Sequence, residues 1–332
     1  MMGLQTAGMD VCLDGKSKHL ECSIKESHKE WTSKAFRQSE AIIFIGACGI
    51  AVRSIAPFVK SKKSDPAVLV IDECGQFVIS LLSGHLGGAN ELTEIAAHIL
   101  GAVPVITTAT DIHQLFAVDV FAKKNHCDLL PLKYAKDLSA AMLSGELIGF
   151  YSDVPWDGKM PEELIECDRD GKACDESHPD IGIAVSVETA CEPFPMTVHV
   201  IPRIVSLGVG CRKGKEYAKI EYAIRKMLEE RGIFSQALEQ MSSIDLKKEE
   251  AGLLLFSKEW QLPFQTFDQD MLQSAKGDFT SSDFVKAVTG IDNVCERSAV
   301  LASGQGKLIQ HKTALDGVTA ALAVREWRVR FE

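Results

Sequence analysis

Four times along this chain an apolar run of strand length stops at glycines or small polar residues. These are "AIIFIGACGIAVR" from Ala41, "FVISLLSGHLGGAN" from Phe77, "VPVITTATD" from Val103 and "IVSLGVGCRKGK" from Ile204. Runs that are apolar without alternation must be covered on both faces, and helical patterns lie between them. A layered α/β architecture with a mainly parallel sheet satisfies both demands. In such sheets ligands bind beyond the carboxyl ends of the strands, where helix N-termini present unpaired amides and a positive dipole end. Carboxylates and phosphates suit these places.

The local signals divide the chain. "AVLVID" and "FVISLLS" flank "ECGQ", which reads as a hairpin. Ile50, Ile55 and Phe58 recur near helical spacing, and Pro57 keeps that helix short. Leu92, Ile95, Ala96 and Ile99 mark one face of a further helix, which Gly101 stops. From about Asp119 to Ile201 the pattern loosens into Asp-, Gly- and Pro-rich text. The acids of "CDRD" and "CDES" there lack a Ca²⁺-loop pattern and read as solvated turns. From Pro202 onward the strand–glycine–helix order resumes. Ile220, Ala223, Ile224, Met227 and Leu228 share one helix face, Gly232 ends that helix, and "LDG" at 315–317 fits a hairpin turn. The expected organisation is an N-terminal layered α/β domain over 1–118, a smaller middle segment over 119–201 and a C-terminal layered α/β domain over 202–332.

Charge and composition narrow the function. The 332 residues carry a net charge of −10. A broad surface for nucleic acid or an anionic membrane is thereby excluded, and any anionic ligand must be met by local cations. No apolar run approaches the roughly 20 residues that cross a bilayer, and "MMGLQTAGMD" lacks the parts of a signal peptide, so the expected location is cytoplasmic. Ten cysteines contain no C-x-x-C pair and no zinc-ligand spacing, so no metal site is expected. Cys48 and Cys211, in glycine-rich text, read as packing thiols with a functional role as the alternative. The phosphate loop G-x-x-x-x-G-K-[ST] is absent, and "GVGCRKG" misses the dinucleotide fingerprint because Gly214 falls one position late. A nucleotide-dependent transferase is therefore a poor reading.

Several side chains at the junctions can carry chemistry. His85, between glycines, titrates near neutrality and is an acid–base candidate; capping a helix or binding a carbonyl is its equal alternative. Gly84, Gly87 and Gly88 are expected to take backbone shapes closed to other residues. Arg53 can hold a carboxylate bidentately or form a surface salt bridge. Arg212, Lys213 and Lys215 are either an anion site or a solvated helix start. Asp72 and Glu73 can form an acid–base pair, or they are the wet tip of a hairpin.

Together these motifs resemble one family. The stretch from "FIGACGIAVRSIAPFV" to "GAVPVITTATD" closely resembles the N-terminal domain of the cobalt-precorrin-5A hydrolases of anaerobic cobalamin biosynthesis, the CbiG family. "LGVGCRKGK", "SSIDLKKEEAGLLLFSKEW", "NVCERSAVLASG" and "LDGVTAALA" resemble its C-terminal domain. Compared with the family, the chain opens on what reads as the remains of the first helix, so the N-terminal domain is expected to lack its first strand and to be less stable for it.

The resemblance implies that water opens a δ-lactone on a cobalt–tetrapyrrole and that a two-carbon fragment leaves as acetaldehyde. His85 then serves as the acid–base group, with Asp72 and Glu73 as the other catalytic candidates. The substrate-binding positions are Gly46, Gly49 and Arg53, then Ser83, Gly84, Gly87, Gly88 and Asn90, then Thr108 and Asp111, and last Gly208, Gly210, Arg212 and Lys213. No cofactor is implied, because cobalt arrives in the substrate. Neither nucleic acid nor membrane is an expected partner. Other enzymes of the pathway and a second copy of the chain are the macromolecular partners the resemblance allows. A non-catalytic tetrapyrrole carrier is the competing class, since it needs the basic loops without a titrating His85.

Overall fold

The apolar runs do form strands, and one hairpin decides where their ends point. The computed structural model describes residues 2–6, 8–15, 24–61, 64–84, 87–108 and 115–331. His85 and Asp111 lie outside the described residues. The chain divides into two compact units, 1–120 and 121–332.

The first unit contains α1 (Met2–Thr6), α2 (His28–Gln38), β1 (Ala41–Ile45), α3 (Cys48–Ile55), β2 (Ala67–Ile71), β3 (Phe77–Leu82), α4 (Ala89–Leu100) and β4 (Val103–Val105). The sheet order is β1-β2-β3-β4, and among the described residues no strand pairs with the outer edge of β1. β2 is buried on both faces: Val68 and Val70 join Ala51 and Ile55 of α3, while Ala67 and Leu69 join Ala89, Ala96 and Ala97 of α4. That two-sided burial explains its unbroken apolar text. The expected helix faces need correction. Ile55 and Ala96 are buried as expected, but Ile50 is 51% exposed and Ile99 40% exposed, and most of the other sheet-facing positions are alanines and Thr93. Short helices lying close on a sheet leave room at most of these positions for small side chains.

β1 and β2 are parallel, but β2 and β3 are antiparallel, with Val68 opposite Leu82 and Ile71 opposite Val78. β4 is parallel to β3. The predicted hairpin is present, and it makes the sheet mixed where a mainly parallel one was expected.

The second unit opens with helix α5 (Val118–Lys124), which crosses the boundary, and continues through β5 (Cys127–Leu130), α6 (Leu132–Leu143), β6 (Ile148–Ser152), β7 (Trp156–Asp157), β8 (Leu164–Glu166), β9 (Ile181–Val185) and β10 (Met196–Pro202). The loosely patterned stretch thus builds a five-stranded sheet in the order β5-β10-β9-β6-β8. Gly149 and Gly182 stand opposite one another in it. Their missing side chains make a floor for the Phe194 ring, which any Cβ there would overlap.

There follow β11 (Val205–Cys211), α7 (Tyr217–Arg231), β12 (Leu238–Ile244), α8 (Ala251–Glu259), β13 (Phe264–Phe267), α9 (Gln269–Ser274), α10 (Asp283–Thr289), α11 (Cys295–Ala302), β14 (Lys307–Leu315), β15 (Val318–Val324) and β16 (Val329–Arg330). The sheet order is β13-β12-β11-β15-β14, with β11, β12 and β13 parallel. The predicted face of α7 is the buried one. The β14–β15 turn has positive φ at both central residues, 51° at Asp316 and 75° at Gly317, as a two-residue hairpin requires.

The two five-stranded sheets of this unit are stitched together. The Phe234 amide donates to Val187 O at 3.0 Å and the Thr189 amide to Gly232 O at 2.7 Å. β16 returns to pair with β7, and the two form a small sheet of their own. There Val329 is fully buried, Phe331 stacks on Phe121 at 5.0 Å, and the Asn125 carboxamide meets both the N–H and C=O of Arg330.

Candidate functional site

Beyond β1, Gly46 has φ of 141° and its amide donates to Ile71 O at 2.8 Å. α3 then begins, and the Ile50 and Ala51 amides donate to Ala47 O. The amides of Cys48 and Gly49 belong to the orphan first turn. Arg53 bends back over this turn: a Cβ on Gly49 would stand 3.6 and 3.7 Å from its guanidinium nitrogens. No ion pair to Arg53 occurs among the described residues.

The hairpin at the same end of the sheet engages Asp72. Its Oδ1 accepts from the Phe77 amide at 2.6 Å and its Oδ2 from the Cys74 amide at 3.0 Å. These backbone hydrogen bonds, that of Phe77 foremost, hold its carboxyl below the usual carboxylate range. Asp72 therefore shapes a turn and is a weak base. Glu73 lies exposed at the tip.

At the end of β3 the quoted glycine loop is tightly wound. Ser83 has φ of 60°, its Oγ donates to Asp65 O, and its carbonyl accepts from the Ala89 amide. The Gly84 carbonyl accepts from the Asn90 amide at 3.0 Å. Buried Asn90 accepts from Ser80 Oγ at 2.6 Å and donates to Thr108 Oγ1 at 3.3 Å, tying the loop to β3 and to the chain beyond β4. The expectation about the glycines is half corrected. Only Gly88, at φ 81°, needs a left-handed backbone. Gly84 is a glycine because a Cβ would stand 2.8 Å from Asn90 Oδ1, and Gly87 because a Cβ would overlap Ser83. The Ala89 and Asn90 amides are spent within the loop.

The hairpin keeps these two groups apart. Gly46, Gly49, Arg53, Asp72 and Glu73 lie at one end of β2, whereas Ser83, Gly84, Gly87, Gly88, Asn90 and Thr108 lie at the other. At about 3.3 Å per residue, the five residues of β2 hold them roughly 15 Å apart. Each group stands beyond the carboxyl end of its own strand, but because β3 runs against β2 these ends lie on opposite edges of the sheet.

In the second unit the "GVGCRKG" stretch also splits. Gly208 is buried in mid-strand, and a Cβ there would overlap Cys295 O and stand 2.9 Å from Ala299 N. The missing side chain lets α11 lie on the sheet. Gly210 accepts from Thr319 Oγ1 at 3.2 Å. Burial pushes the Cys211 thiol above its ordinary value, in keeping with a packing role. Arg212 and Lys213 are exposed and have no ion pair among the described residues. The Arg212 amide donates to Gly317 O at 3.1 Å, and its side chain lies along that turn.

The sequence reading missed Glu250. Its Oε1 accepts from the Gly214 amide at 2.6 Å and its Oε2 pairs with Lys247 Nζ at 2.9 Å. In the text, "DLKKEE" looks like ordinary surface charge. The one available signal was an acid immediately before the apolar run "AGLLLF". Among the described residues no group of three or more His, Cys, Asp or Glu could hold a metal ion, and no helix is long and apolar enough to cross a membrane.

Comparison with known proteins adds the following. Family profiles described as Cobalamin synthesis G N-terminal, Cobalamin biosynthesis central region and Cobalamin synthesis G C-terminus match residues 30–111, 116–202 and 205–323. A protein named cobalt-precorrin-5A hydrolase from Salmonella typhimurium is 38% identical over 88% of this chain and 84% of its own length. One of the same name from Priestia megaterium is 32% identical over 87% of this chain and 79% of its own. The solved structure of a cobalamin biosynthesis protein G homologue from Sulfolobus solfataricus overlaps 98% of this chain and 91% of its own at 22% identity, with a TM-score of 0.39.

Proposed function

Since the chain belongs to the CbiG family of cobalt-precorrin-5A hydrolases, we propose that it opens the δ-lactone of cobalt-precorrin-5A and releases acetaldehyde, leaving cobalt-precorrin-5B. The observation that carries this reading is the 38% identity, over 88% of the chain, to a protein of that name.

The chemistry has two parts. Water adds to the lactone carbonyl, the acyl C–O bond breaks, and the ring oxygen leaves as an alcohol after taking a proton. That alcohol then gives up its proton, and the adjoining carbon–carbon bond breaks. The two carbons depart as acetaldehyde, while the electron pair and a proton pass to the macrocycle. A base for water, donors to the tetrahedral oxyanion and a group that handles the alcohol proton are needed.

The loop after β3 suits this best. The Gly87 and Gly88 amides supply the oxyanion donors, and the Ser80–Asn90–Thr108 network supports the loop from behind. His85, which the sequence sets in this loop, is the acid–base group. Asp72 and Glu73 stand at the other end of β2 and do not assist it. Arg212 and Lys213 bind carboxylate arms of the substrate. No cofactor of the protein's own takes part, cobalt being part of the substrate.

The test is to mix the full chain with cobalt-precorrin-5A and assay acetaldehyde by a coupled NADH-dependent reductase. Release at a catalytic rate supports the hydrolase. Binding of the tetrapyrrole with no acetaldehyde would leave the carrier.

A further inference from the structure

The loop after β11 presents a contrast that its stability does not require. Arg212 and Lys213 are exposed and have no ion pair among the described residues, yet the backbone beneath them is fixed from three sides. The Arg212 amide donates to Gly317 O. The Lys215 carbonyl packs so closely on α8 that a Cβ at Gly252 would overlap it. At the centre, the Glu250 side chain, 8% exposed, accepts from the Gly214 amide at 2.6 Å through one oxygen and pairs with Lys247 Nζ at 2.9 Å through the other. Burial alone would push the Glu250 carboxyl up, but Lys247 and the Gly214 and Lys215 amides outweigh it and hold the group below its ordinary value.

An ion pair withdrawn from water is an inefficient way to stabilise a fold, because desolvation offsets most of the attraction. It is a good way to keep a loop in one shape before a ligand arrives, which lowers the ordering cost of binding. Gly214 accommodates that shape with φ of 71°, a conformation in which a non-glycine residue would be strained.

We infer that Glu250, braced by Lys247, is the positioning residue of this loop, holding Arg212 and Lys213 where they take the carboxylate arms of the tetrapyrrole. This rests on the hydrolase reading above. Glu250 touches no substrate; it acts through the Gly214 and Lys215 amides.

The experiment is a double-mutant cycle in the full chain, with acetaldehyde release from cobalt-precorrin-5A as the rate and tryptophan-fluorescence quenching by the same compound as the binding readout. Glu250→Ala should raise KM and Kd about tenfold with kcat within about twofold, since uniform binding is what is lost. Arg212→Ala/Lys213→Ala should do likewise. Adding Glu250→Ala to that pair should change KM and Kd by less than about twofold, because the loop then carries nothing to position. Multiplicative effects, or a loss confined to kcat, would overturn the inference. If Glu250→Ala does not fold, Glu250→Gln, which keeps the Gly214 acceptor and drops the charge, is read in the same cycle. If the wild type releases no acetaldehyde, the hydrolase reading fails, and the Kd cycle alone decides the role of the loop. If it binds no tetrapyrrole, the inference falls too.

Discussion

Gly208→Ala separates two meanings of a glycine-rich loop. If "GVG" cradles a ligand, the added methyl should weaken binding and leave the fold alone. In the structure the methyl instead meets α11: it overlaps Cys295 O and stands 2.8 Å from Cys295 C and 2.9 Å from Ala299 N, where ordinary contacts begin near 3.4 Å. All three obstacles are backbone, so no rotamer change relieves them. The helix must lift by half an ångström or more, although it packs on β11, β12 and β15 and is anchored by Glu296, which accepts from Thr280 and Lys312. Overpacking commonly costs 1–3 kcal/mol, and an unyielding neighbour puts this case near the upper end, about 3 kcal/mol. For a unit of this size that lowers Tm by about 6–12 °C. Thermal unfolding by circular dichroism and the urea midpoint measure the shift, and acetaldehyde kinetics give KM. A Tm within about 2 °C of wild type together with a KM raised severalfold would refute the packing argument.

Four further outcomes follow from the geometry. His85→Ala should lower kcat by about 10²–10⁴-fold, keep the fold, and remove a limb of the pH–rate profile near the ordinary histidine value of about 6.5; normal turnover would make the residue structural. Arg53→Ala should raise KM more than it lowers kcat, because Arg53 lies roughly 15 Å from the Gly87 loop along β2; a kcat collapse with KM unchanged would relocate the chemistry. Asp72→Ala should lower the unfolding temperature of the first unit and leave kcat within about twofold; a kcat collapse would restore Asp72 as a base. His199 is buried with Nδ1 unbonded, and burial lowers its pKa against the opposing effect of Glu192. The unfolded chain therefore binds a proton that the folded one refuses, so stability is full above about pH 6.5 and falls as pH drops below it. His199→Phe should flatten that fall in urea titrations between about pH 7 and 5.

What could be read in the sequence was what neighbours along the chain determine. The α7 face from Ile220 to Leu228 and the Asp316–Gly317 hairpin turn are local events, bounded by glycines that state their purpose. The packing role of Gly208 was not legible because the group it makes room for, Cys295, arrives 87 positions later. The β2–β3 hairpin was legible, but its effect was not drawn from it: reversing one strand sends Arg53 and Gly87 to opposite ends of the sheet. Glu250 escaped for the same reason as Gly208, since its partner Gly214 lies 36 positions upstream.

The return of β16 to β7 bears on how this polypeptide can be dissected. The profile for the C-terminal part stops at residue 323, so a fragment cloned to that limit would end before Val329 and Phe331. A fragment of the middle part alone, 116–202, would leave Trp156 without its strand partner and Phe121 and Phe150 without the ring that seals them. Each piece would expose an apolar seam, and low yield from either would report a missing half of the seam rather than an inability of that segment to fold. The smallest fragment that keeps the seam whole runs from the start of α5 to Phe331, and limited proteolysis of the native chain should release a piece of that length in preference to any shorter one.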